Sequence, residues 1–224
     1  MNYFAHGRRW IDDPYMVAGT AVPDWLSVVD RRVRARSMLA RQHVAHDDGR
    51  VAALARGVVR HHDDDAWFHR TRAFAELSLD FTLTIRDRLD QDTGFRPSFL
   101  GHVLVEILLD AVLIERAPKQ LDDYYRAVEA ADPNVVEQAV SLMVTRPVDH
   151  FTGMIELFCR ERFLYDYADD RKLLVRLNRV MQRVKLPVLP DSFAGFLADA
   201  RNDVRLRSAD LLVGENGNAE GEVP

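Results

Sequence analysis

Residues Gly101-His-Val-Leu-Val-Glu-Ile-Leu-Leu-Asp-Ala-Val-Leu-Ile114 decide the fold class. The stretch is aliphatic on nearly every side, and its only polar members, His102, Glu106 and Asp110, recur at i, i+4 and i+8. On an α-helix that spacing stacks them in one narrow stripe, a turn apart. A solvent stripe is usually wider and carries Lys or Arg, yet no cation occurs between Phe99 and Glu115. A helix that is apolar nearly all round belongs inside a protein. Carboxylates buried with it require a cation or a dense set of donors. The stretch therefore reads as a central core helix carrying a buried polar or metal site; the plain alternative is a thin solvent stripe. Glu106 and Asp110 interrupt the run from Val103 to Ile114, which is too short and too charged to span a bilayer.

Helical periodicity extends outward in both directions, and convincing strand alternation is absent, so the chain reads as an all-α, single-domain helical bundle. Pro14 opens a helix through about Val29 that Gly19 and Pro23 interrupt, and a second covers Arg31 to Gln42. Asp47-Asp48-Gly49 makes a turn and cap before a long helical stretch from Arg50 into the His61 region. Phe74, Leu77, Phe81, Leu83 and Ile85 continue the apolar pattern to a stop at Asp92-Thr93-Gly94. Pro97-Ser98 starts the next helix, which runs to about Arg116. Leu121 to Ala130, Pro133 to Val144, Val148 to about Tyr165, Arg171 to Val184, and Asp191 to Arg207 complete the set. From Ser208 onward the chain has no basic residue and is rich in Gly, Asn and Glu. Residues 1–207 are thus expected to form the domain, and 208–224 a disordered acidic tail.

The composition, 47% hydrophobic and 29% charged over 224 residues, is that of an ordinary soluble globular protein. A net charge of −5 argues against general nucleic-acid binding. The single cysteine, Cys159, excludes an internal disulfide framework and fits a reducing compartment. The opening Met-Asn-Tyr-Phe-Ala-His-Gly-Arg-Arg-Trp10 has no apolar signal core, so a soluble cytoplasmic protein, not bound to membrane, is expected. Oligomeric state is not written in the sequence. Arg31, Arg32, Arg34 and Arg36 form the one dense basic cluster, suited either to phosphate or an acidic partner or to the solvated face of a helix.

A second stretch carries chemistry: Arg60-His-His-Asp-Asp-Asp-Ala-Trp-Phe-His69. His61, Asp65 and His69 again lie at i, i+4 and i+8, so on one helix face two imidazoles and a carboxylate can close on a divalent metal. The alternative is an exposed acidic helix that happens to hold histidines. His6, after Tyr3-Phe4-Ala5, and Asp24, in a Pro-Asp-Trp segment, are weaker candidates alone. His62, turned away from His61, reads as a residue behind the ligands or at the surface; His43 and His46 read as solvated near a turn, and His150, near Pro147, as a surface residue or the lining of a pocket mouth.

The opening Met-Asn-Tyr-Phe-Ala-His6, the Gly19…Asp24-Trp25-Leu26 segment, and Gly57-Val-Val-Arg-His61…Asp65 together resemble the acyl carrier protein phosphodiesterase family. Members of that family start Met-Asn-Phe-Leu-Ala-His, continue Gly-Asn-Leu-Leu-Ala-Asp-Phe-Val, and then carry Gly-Ile-x-x-His-x-x-x-Asp. The resemblance covers roughly residues 1–115, with an echo at Leu177-Asn-Arg-Val-Met-Gln-Arg183. It implies an HD-domain-like helical fold and a metal-dependent phosphodiesterase that releases 4'-phosphopantetheine from holo-acyl carrier protein. His6, Asp24, His61 and Asp65 stand at matching site positions. The chain departs from the pattern at His69, where the family has an acid, and at His102 and Glu106, where it has Asp. Ile107 replaces a family His. More imidazole in the ligand set moves preference from Mn²⁺ or Mg²⁺ towards Zn²⁺, Fe²⁺ or Ni²⁺.

The resulting expectation is one or two divalent ions (Mn, Fe or Zn) held by His6, Asp24, His61, Asp65 and His69 with His102 or Glu106. Asp65 is essential to the chemistry as a carboxylate ligand. A carboxylate not used as ligand, Glu106 or Asp110, takes a proton from water. Arg179 or Arg183 balances phosphoryl charge, while Arg32 and Arg34 dock an acidic carrier protein. Two competitors remain: an HD-like iron oxygenase, and a non-catalytic helical scaffold with a degraded site. The Glu-x-x-His pairs of ferritin-like di-iron proteins do not occur in the sequence.

Overall fold

The computed structural model describes residues 1–89 and 94–214. Every regular element among them is helical, and none is a strand. The helices are α1 (Tyr3–Gly7), α2 (Pro14–Val29), α3 (Ser37–Ala40), α4 (Gly49–Phe68), α5 (Arg72–Arg88), α6 (Pro97–Arg116), α7 (Pro118–Ala130), α8 (Pro133–Ser141), α9 (Phe151–Glu161), α10 (Asp170–Arg183) and α11 (Phe193–Leu211). Single 3₁₀ turns occupy Arg41–His43 and Phe163–Ala168. The chain gathers into two compact units that interleave along the sequence: a first of Asn2–Asp65 and Ala117–Phe163, and a second of Met1, Ala66–Arg116 and the segment beginning at Leu164.

The first unit is built round aromatic rings. Phe4, Trp25, Tyr124, Tyr125, Phe151 and Phe158 are all buried. Phe158 alone contacts the rings of Tyr3, Trp25, Tyr124 and Tyr125 at centroid separations of 5.1 to 6.5 Å. Against this core α2 runs unbroken from Pro14 to Val29, through the Gly19 and Pro23 that by sequence should interrupt it. Pro23 removes one helical N–H, but its neighbours Val22, Trp25 and Leu26 are fully buried, and their packing holds the helix through it. Gly19 is a contact and not a break. A Cβ there would fall 2.2 Å from the Leu54 carbonyl oxygen, and one at Gly57 would fall 2.4 Å from that of Met16. Helices α2 and α4 therefore cross backbone to backbone, which only glycine permits at both positions.

The expected helix from Arg31 to Gln42 is confined to Ser37–Ala40 and the 3₁₀ turn after it. Val33 and Ala35 are buried while Arg31, Arg32, Arg34 and Arg36 are exposed, so the burial alternates with period two, as in extended chain. Backbone that satisfies that alternation cannot also be helical.

In the second unit α6 is the core helix that its composition predicts, packed between α5 and α11. Leu100, Leu104, Val105, Leu108, Leu109, Ala111 and Val112 are essentially inaccessible. By length and composition α6 could also cross a membrane, with a mean hydropathy of 1.8, but 67% of that window is buried within the fold. Gly101 lets α6 approach α5, since a Cβ there would lie 2.6 Å from the Ser78 carbonyl oxygen. Helix α11 continues past the expected end at Arg207 to Leu211, because Ser208 and Leu211 face the interior and extend its buried stripe. Of the expected stop at Asp92-Thr93-Gly94, the first two residues, and of the expected tail, residues 215–224, lie outside the described residues; Gly94 has a left-handed φ of 75°.

The glycine crossing yields a test. Gly57→Ala should cost at least the roughly 1–3 kcal/mol typical of overpacking, because the obstructing atoms are backbone. Gly153→Ala, in α9 with nothing within 4 Å of the added carbon, should instead gain about 0.5–1 kcal/mol. Urea midpoints of the two variants measured against wild type check both signs.

Candidate metal centre

The structure sorts the metal-ligand candidates into two triads, each with all its ligand atoms within 4.8 Å of one another. His6, His61 and Asp65 form one, in the first unit; His69, His102 and Glu106 form the other, in the second unit.

The first triad is assembled from α1 and α4. Helix α1 is only five residues long, and it is anchored by Phe4 against Tyr124 at 5.8 Å. At Gly7 a Cβ would strike the Tyr124 ring at 2.5 Å, so the absence of a side chain there brings the preceding residue, His6, close to its neighbours. His6 and His61 are 1% and 4% exposed, and their rings stack with centroids 4.1 Å apart. The Nδ1 of His61 donates to the Thr20 carbonyl oxygen at 2.8 Å. This bond fixes the tautomer and leaves Nε2 as a lone-pair donor. Thr20 follows Gly19 in sequence, so the α2–α4 crossing places the acceptor.

His6 is held by the same logic with a carboxylate. Its Nδ1 faces Asp64 Oδ2 at 3.4 Å, and the other Asp64 oxygen is 2.7 Å from Arg60 Nε. The Arg60 guanidinium in turn sits 5.8 Å from the Trp10 ring. His6 Nε2 is buried and meets no well-aligned acceptor, although Asp65 Oδ1 is 3.3 Å away. His61 Nε2 lies 3.5 Å from Asp65 Oδ2. Two inward imidazole nitrogens thus flank one carboxylate, and each ring is locked at its far nitrogen. That donor set fits a divalent transition ion.

Electrostatics sharpen the asymmetry of the two rings. Burial opposes charge on His6, but the carboxylates of Asp64 and Asp65 outweigh it and raise its pKa to about 9. Burial and then the neighbouring His6 push His61 well below its ordinary value. Burial raises Asp65, but the lowering contributions, led by the His6 contact, outweigh it and leave the carboxyl far below the usual range. A divalent ion held here would have the ionised Asp65 carboxylate and the neutral His61 ring as ready ligands, and His6 would have to give up its extra proton to join them.

His69 does not share the His61 face. Helix α4 ends at Phe68, where the carbonyls of Trp67 and Phe68 accept from Arg70 and Thr71, and Thr71 Oγ1 caps α5 at Phe74 N. The turn carries His69 to Glu106: His69 Nε2 lies 2.8 Å, and His102 Nε2 3.2 Å, from Glu106 Oε1. The α-amino group of Met1 is 3.4 Å from the same oxygen. Burial raises Glu106, but that ammonium and the two histidines hold it well below the usual range.

Asp24 is partly buried on α2 and belongs to neither triad. Asp110 is fully buried one turn beyond Glu106, and it too is outside both. Arg179 and Arg183 lie on the exposed side of α10. Arg32 is paired in a fork with Asp30 at 2.8 to 3.2 Å, whereas Arg34 is exposed and donates to the Val33 carbonyl. His62 donates to Ala35 O at 2.7 Å and anchors the Arg31–Arg36 segment. Asp64 and Arg60 were not singled out from the sequence. Asp64 stands at i+3 from His61, off the i, i+4 stripe, and its partner His6 is 58 positions away.

Compared with family models, with curated proteins and with solved structures, the chain finds no match.

The role of Asp64 is measurable. Asp64→Asn keeps the shape but removes the charge that orients His6, and supporting residues of this kind are typically worth about 10–100-fold in metal affinity. Zn²⁺ competition against a chromophoric chelator should show a loss in that range with an unchanged circular dichroism spectrum. Unaltered affinity would remove Asp64 from the site.

Proposed function

We propose that the protein is a metal-dependent phosphoester hydrolase whose centre is His6, His61 and Asp65. One observation carries the reading: two buried imidazoles, each fixed at Nδ1 by a partner, turn their Nε2 atoms onto a single ionised carboxylate. A divalent ion held there would lower the pKa of a coordinated water and polarise a phosphoryl oxygen. The chain's own contribution is positioning. Thr20 and Asp64 hold the rings, and Arg60 neutralises Asp64 so that the buried carboxylate is paired. Asp65 is the most exposed ligand, with 31% of its side chain accessible against 6% or less for the two rings, so substrate approaches over its edge.

The motif order in residues 1–115 makes a phosphodiester, and more narrowly the phosphopantetheine link of a holo-acyl carrier protein, the substrate we favour. Arg31, Arg34 and Arg36 line an exposed strip of the same unit where an acidic carrier would dock, since complementary charge steers such encounters. We place the protein in the cytoplasm on this reading. A second reading has its own support: two histidines and one carboxylate are also the ligand set of non-haem Fe²⁺ oxygenases.

Metal-loaded protein should hydrolyse bis-p-nitrophenyl phosphate, and Asp65→Ala should abolish the turnover together with most of the bound metal. Full turnover by Asp65→Ala protein with undiminished metal would contradict the assignment. Activity only with Fe²⁺ and consumption of O₂ would favour the oxygenase.

A further inference from the structure

We propose that His69, His102 and Glu106 form a second metal site, carried wholly by the second unit and suited to a borderline cation such as Zn²⁺. It rests on residues that the hydrolase reading above does not use. The competing description is a hydrogen-bonded trio on a helix surface. Against that stands the convergence of both Nε2 atoms on one oxygen, Glu106 Oε1, at 2.8 and 3.2 Å. Solvated side chains at i and i+4 have no reason to meet a third group from a separate turn at the same point. An ion here would take the Nε2 lone pair of each neutral imidazole, with the ring N–H carried on Nδ1, so that the three donors now meeting at Glu106 Oε1 would surround the cation.

The surroundings stiffen the trio. The Phe74 ring packs on His69 at 4.8 Å and on His102 at 4.9 Å, and Phe68 packs on His69 at 5.5 Å. The two imidazoles are themselves 4.7 Å apart. Residue 101, next to His102, is the glycine at which α6 meets α5 backbone to backbone, so the helix bearing two of the three ligands is seated against its neighbour.

Access and anchoring differ from those of the first triad. The His69 and His102 side chains are 32% and 43% exposed, so an ion can exchange with solvent and keep open positions for water. Among the described residues neither ring has a protein hydrogen bond at Nδ1, in contrast to His61 on Thr20 and His6 on Asp64. Without such support the affinity should be lower, by about the 10–100-fold that outer partners contribute. Three protein ligands with positions left open are the pattern of reactive zinc sites, where purely structural ones are closed by four.

Metal-free protein titrated calorimetrically with Zn²⁺ alone should take up two equivalents, a tight one and one about 10–100-fold weaker. His102→Gln and Glu106→Gln should each remove the weak equivalent and retain the tight one; His61→Gln should do the reverse. With Co²⁺ as probe, the visible bands should fall by about half in each variant. A single equivalent lost in His102→Gln but kept in His61→Gln would sustain this site and overturn the first triad. A single equivalent that survives His102→Gln, or the loss of both equivalents through either substitution, would overturn the second site.

Discussion

Two helices that touch backbone to backbone set the position of the first triad. Gly19 and Gly57 leave no room for a Cβ at the α2–α4 crossing, and the closeness gained there is what lets the Thr20 carbonyl reach His61 Nδ1 at 2.8 Å. The bond does two things at once. It ties the His61 ring to the backbone of α2, and it decides which imidazole nitrogen remains to act as donor. Gly7 performs the equivalent task for α1, bringing it against Tyr124 and so placing His6. The geometry of the candidate metal site is thus built on helix packing.

The two triads share a composition but not a setting. In the first, carboxylate and guanidinium groups lie behind the rings; Asp64 and Asp65 make His6 favour its proton against burial, whereas burial and the neighbouring His6 make His61 resist one. In the second, aromatic rings replace polar partners, and roughly a third or more of each histidine side chain meets solvent. Preorganisation by hydrogen bonds gives affinity, whereas exposure gives exchange. On the proposed reading, one ion would be held firmly and another loosely.

Much of this was legible from residue order. The cation-poor, aliphatic run from Gly101 to Ile114 identifies α6 as the core helix, and the four-residue step of its polar stripe sets His102 beside Glu106. The four-residue step from His61 to Asp65 does the same for α4. What failed was continuity. The i, i+8 extension to His69 assumes an unbroken helix, but Thr71 caps α5 and closes a turn first. Likewise Arg31–Arg36 looked helical by composition, whereas the alternating burial of Val33 and Ala35 makes it extended. Asp64 is not legible in the sequence because its partner His6 lies far along the chain, a relation that periodicity does not encode, and Arg60 matters only through Asp64.

The central claim is that His6 Nε2, His61 Nε2 and the Asp65 carboxylate point at one ion. Anomalous diffraction from crystals soaked in Zn²⁺ tests it most directly. The account predicts a peak about 2.0–2.2 Å from both Nε2 atoms and from one Asp65 oxygen, with both Nδ1 contacts intact. A well-diffracting soaked crystal with no peak there, or with the ion on Nδ1 of His61 in place of the Thr20 carbonyl, would contradict it.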